Sequence, residues 1–70
     1  MKNEIAYVTG EFGHRFVVFN RAGAKKAKSK ARKVNKQRAL AGLPTKDMDH
    51  WISQAAKSLT PGGISMLVID

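Results

Sequence analysis

The chain has 70 residues, 13 Lys+Arg against 5 Asp+Glu, a formal net charge of +8 and no cysteine. That length allows one domain, residues 1–70, which buries only about 60% of the surface its unfolded chain exposes, and the lack of cysteine excludes disulfides and thiolate metal sites. The longest apolar run, Met66 to Ile69, is far too short to cross a bilayer, and the segment after Met1 lacks a signal-peptide apolar stretch, so a cytoplasmic, non-membrane protein is expected.

Residues 4–9 (EIAYVT) suit a pleated strand, with Ile5, Tyr7, Val8 and Thr9 the strongest strand formers. Gly10-Glu11-Phe12-Gly13-His14 then reads as a five-residue hairpin loop, and residues 15–20 (RFVVFN) as the second strand. From Arg21 to Ala41 the composition turns to alanine, lysine and arginine, all good helix formers. Asn20 is the expected N-cap, and Gly42 with Pro44 behind it the stop. The apolar stripe of this helix, Ala24, Ala27, Ala31, Val34 and Ala41, is narrow and can lie close to a sheet.

Thr45 is a candidate N-cap for a second helix, with Asp47 and Asp49 favourable in its positive first turn. Met48, Trp51, Ile52, Ala55, Ala56 and Leu59 follow at helical spacing, which predicts a core-anchoring helix with Trp51 buried. Thr60-Pro61-Gly62-Gly63 ends it, and residues 64–69 (ISMLVI) read as a third strand. The predicted fold is α+β: a small ββααβ domain, a three-stranded sheet packed with two helices, one of them strongly basic. Strands two and three are apolar on both faces, with Phe16 and Val18 opposing Val17 and Phe19, and Ile64, Met66 and Val68 opposing Leu67 and Ile69. Two helices on one face leave the other bare, so a helix on each side, a partner, or a homodimer through the sheet is expected.

The charge pattern carries the functional expectation. Arg21, Lys25, Lys26, Lys28, Lys30, Arg32, Lys33, Lys36 and Arg38 follow one another with no acidic residue between them. On a helix, Lys25, Lys28, Arg32 and Lys36 form one row, and Lys26, Lys30, Lys33 and Gln37 the next. Charge runs on solvated helix faces usually mix signs; an unrelieved one loses stability to repulsion and suits a polyanion. A pI near 10.4 in so small a domain points the same way. Asn35 and Gln37 are candidate base readers, though ordinary surface polarity explains them as well.

Other candidates are weaker. Phe12 at the hairpin tip and His14 beside it are a possible loop contact to a base or a partner pocket. Gly10 and Gly13 lie between two strands, which is turn chemistry rather than a phosphate loop. Asp47, Asp49 and His50 form the densest ligand-type cluster, yet their place in a helix first turn accounts for the carboxylates, and no fourth ligand is near in sequence. Ser53 follows His50 by three residues without an orienting carboxylate. No metal, cofactor or enzymatic activity is expected.

Two functions follow as expectations. The first is non-enzymatic binding of DNA or RNA through residues 21–38. The second rests on a resemblance: in size, charge and strand–helix layout the chain looks like the small accessory proteins of phages and mobile elements, including anti-CRISPR proteins. That resemblance implies an inhibitor docking its basic helix on an acidic or nucleic-acid-binding surface of a host protein complex.

Overall fold

The computed structural model describes residues 3–69. Its elements are β1 (Ala6–Glu11), β2 (His14–Asn20), α1 (Ala24–Leu40), α2 (Asp49–Ser58) and β3 (Ile64–Val68), the ββααβ order of an α+β domain. The three strands form one antiparallel sheet in the order β1-β2-β3.

The hairpin is tighter than its glycines suggest. Glu11 pairs with His14, so the loop is Phe12-Gly13 alone and not the five residues expected. Both loop residues have positive φ, 54° at Phe12 and 77° at Gly13, as the right-handed twist of a two-residue hairpin favours. Gly13 takes that conformation without strain, whereas Phe12 pays a steric cost for it. His14 therefore belongs to β2 and not to the loop.

Pleating divides the sheet residues between two faces. Val17 and Phe19, with Ala6 and Leu67 beside them in register, point toward the helices. Ala27, Ala31 and Val34 of α1 meet them, together with Met48, Ile52 of α2 and Ile69 just past β3. Both helices thus cover the same face. Phe19, Ile52, Ile69 and Val17 are the largest side chains fully removed from water, each worth about 1.5–3 kcal/mol. Alanine on α1 matters because it lets the helix axis come close to β1 and β2.

Helix starts differ from expectation in an instructive way. Asn20 is not the N-cap of α1; Gly23 holds that position without a side-chain cap. Instead the Asn20 Oδ1 accepts hydrogen bonds from the N–H of Gly23 (2.8 Å) and of Ile5 (3.0 Å), while its Nδ2 donates to the Asn3 carbonyl (2.6 Å). The residue stitches the chain's first described segment to the turn before α1, and each bond contributes roughly 1 kcal/mol. Thr45 likewise does not cap α2. The helix begins four residues later, behind Met48, and the Asp47 Oδ1 accepts from the Asp49 N–H (3.1 Å) in a local turn.

Trp51 is the largest departure. It is 60% exposed, not a core anchor. The buried seam of α2 runs through Met48, Ile52, Ala55, Ala56 and Leu59, and at about 100° per residue Trp51 lies some 80° to one side of its centre. Its indole meets the His50 ring edge-on at 5.4 Å.

Candidate nucleic-acid interface

The apolar seam of α1 orients all its cations. With Ala27, Ala31 and Val34 against the sheet, a 3.6-residue period sends Lys25, Lys33 and Lys36 to the opposite side, where all three are exposed. Lys28 and Arg32 fall on the flank toward α2, and Lys26 and Lys30 on the flank toward β1. Two contacts fix each flank. Arg32 donates from Nε and Nη2 to Asp49 Oδ2, and Asn35 exchanges bonds with the Lys46 backbone, donating to its carbonyl and accepting from its N–H at 3.0 Å. On the other side Lys26 pairs with Glu4 at 2.7 Å, and Arg15 donates to Gln37 at 3.4 Å.

The nine cations expected to act together therefore divide by role. Lys26 and Arg32 are neutralised by the chain's own carboxylates. The hydrogen bond Arg32 donates to Asp49, and then the Asp49 charge, raise its pKa above the ordinary guanidinium value, with a smaller contribution from Asp47. Arg38 turns back on the end of its own helix, where its Nε donates to the Pro44 carbonyl (2.7 Å) and its carbonyl accepts from Leu43 N–H (2.8 Å). It ties down the loop after α1 and lies off the outward ridge. Arg21 precedes the helix, exposed in the turn, beside an open hollow also lined by Asn3, Asn20 and Gly62. Lys25, Lys28, Lys30, Lys33 and Lys36 have no hydrogen bond or ion pair to any described residue.

Lys25, Lys33 and Lys36 make an outward ridge about 17 Å long, at 1.5 Å per residue, with the half-buried Lys28 and Lys30 on its two flanks. The helix bears it against its own electrostatics. The first turn of α1 has no acidic residue and carries Lys25 and Lys26, where the partial positive charge of the unpaired N–H groups disfavours cations. Among the described residues, Glu4, reaching from outside the helix, is the carboxylate that relieves this.

What the ridge lacks is equally informative. Asn35 and Gln37, the candidate base readers, are held by Lys46 and Arg15. The outward face is left with ammonium groups and the Ser29 hydroxyl, which suit phosphate oxygens rather than a particular base edge. Phe12 stands 93% exposed at the hairpin tip. Because Gln37 lies over Arg15, the tip sits at the same end of the molecule as the C-terminus of α1. Among the described residues no three of His, Asp and Glu come together as a metal site, so Asp47, Asp49 and His50 do not converge, and no helix is long and apolar enough to cross a membrane. Comparisons with protein-family models, with curated proteins and with solved structures found no match.

Proposed function

We propose that this domain is a non-enzymatic nucleic-acid-binding protein that holds the phosphate backbone on the lysine ridge of α1, with little preference for sequence. The observation carrying this reading is a set of five lysines left without an anionic partner among the described residues, Lys25, Lys33 and Lys36 on the side of α1 away from the core and Lys28 and Lys30 on its two flanks. A polyphosphate chain supplies the missing negative charge, and release of its condensed counterions drives association. The two amides that offer bidentate base recognition are engaged within the fold, which favours contact with backbone over bases.

The test is an electrophoretic mobility-shift titration of a short duplex across salt concentrations. With about five phosphates engaged, log K is expected to fall against log salt with a slope of about −4 to −5. Binding indifferent to salt, or no binding at low salt, overturns the proposal.

A further inference from the structure

Among the described residues, nothing covers the face of the sheet turned away from the helices. Tyr7 of β1, Val18 of β2 and Met66 of β3 form one cross-strand row on it, with Phe16 and Val68 paired in the next. Val18, flanked on both sides, is only 3% exposed, but around it Tyr7 is 51%, Ile64 57%, Met66 57% and Val68 41% exposed. Those four side chains leave about 400 Å² in water, and the rims of Phe16 and Thr9 bring the patch to about 500 Å², within the size range of the largest patches that function on monomers.

Charge selects the occupant. Arg15 is the one Lys or Arg in the three strands, and its register with Gly10 places it on the helix side, where it bonds Gln37. A nucleic acid or an acidic protein surface therefore finds no attraction on the open face. A second copy of the chain does not suffer the repulsion its net charge suggests. With sheets stacked about 10 Å apart and each helix layer about 10 Å beyond its sheet, the two lysine ridges stand roughly 30 Å from one another, several Debye lengths at physiological salt.

We propose that the open face is a self-association surface, on which two copies stack sheet against sheet into a helix–sheet–sheet–helix dimer with the lysine ridges on its two outer sides. Two patches of this size bury about 1,000 Å² in total, at the lower bound for a specific interface, so the dimer is weak, with a dissociation constant of roughly 10–100 µM. Ile64, Met66 and Val68 on one edge and Tyr7 on the other carry the contact, with Val18 and Phe16 between them.

Sedimentation equilibrium from about 5 µM to 1 mM tests this whether or not the protein binds nucleic acid. The mean mass is expected to climb from 7.7 kDa toward twice that value. Met66→Lys and Tyr7→Lys, on different strands and both exposed, are each expected to weaken association at least about tenfold. Both are expected to keep the circular dichroism and thermal midpoint of the parent. A parent chain that stays at 7.7 kDa up to 1 mM overturns the proposal. So does a dimer that both substitutions leave intact, because that dimer would join through strand edges instead.

Discussion

Replacing Lys25, Lys33 and Lys36 together by Glu is expected to lower affinity for duplex DNA by roughly a hundredfold to a thousandfold while leaving the fold intact. The three side chains are exposed and bond no described residue, so the substitution removes nothing that holds α1 to the sheet. Each lost phosphate contact and the repulsion that replaces it cost about 1 kcal/mol or slightly more, for a sum of roughly 3–4 kcal/mol, and 1.4 kcal/mol is tenfold. The salt slope is expected to flatten by about 3. Stability is expected to move the other way. The changes relieve like-charge repulsion along the helix, and Glu at position 25 meets the favourable end of the helix dipole, so the thermal midpoint is expected to hold or rise by a few degrees. A mobility-shift titration paired with a melting curve checks both. Arg32 is a poor target for this purpose: a Glu there faces Asp49 and would separate α1 from α2 whatever it did to binding.

Gly23→Ala is expected to be the most damaging single methyl group in the molecule. The φ of Gly23 is −92°, a value any residue adopts, so backbone strain is not the reason. A Cβ built there falls 2.6 Å from the carbonyl carbon of Ile5 and 3.0 Å from its nitrogen, and closer still to its oxygen. Backbone cannot swing away as a side chain can. Either α1 lifts at its first turn or the Ile5 segment leaves, and with it go the Asn20 N–H bond to the Ile5 carbonyl and the Ile5 N–H bond to Asn20 Oδ1. Two such bonds at roughly 1 kcal/mol each, with displaced packing at about 1–3 kcal/mol, amount to about 3–5 kcal/mol. That is a large share of the roughly 4–10 kcal/mol total expected for a chain of this length. A fall in thermal midpoint of at least about 15 °C follows, or no folding at all. Gly42→Ala is the control. Gly42 has φ +74° and open space around its Cα, so only the left-handed penalty applies, about 1 kcal/mol. If the two variants melt within a few degrees of each other, the close approach of Gly23 to Ile5 is not what holds that corner.

The order of elements was legible because each segment's local signals agree. Strand formers with two-sided hydrophobicity fill β2 and β3, alanine and lysine fill α1, and Gly42 at positive φ ends α1 as its position suggests. The two-residue hairpin was missed because Phe is a poor occupant of positive φ, and the facing of Glu11 and His14 was too slight a cue to set the register. Trp51 was misplaced because helical spacing marks a broad stripe, while the position of α2 over the sheet decides which edge of that stripe is covered. The basic ridge was readable as a set of residues on one helix, but its division was not. Arg32 meets Asp49 across 17 residues, Lys26 meets Glu4, and Arg38 folds onto the Pro44 carbonyl; each pairing depends on how loops return to α1. Of the nine cations, Lys26, Arg32 and Arg38 are engaged within the fold, which leaves Arg21 and five lysines with no described side-chain partner.

Where a polyphosphate chain sits can be seen directly by titrating ¹⁵N-labelled protein with a short duplex and following backbone amide shifts. The largest changes are expected along one side of α1, at Lys25, Ser29, Lys33 and Lys36, with Val17 and Phe19 in the core undisturbed. Shifts centred instead on the open sheet face, on the Phe12 tip or around Trp51 would contradict the assignment of the lysine ridge as the contact.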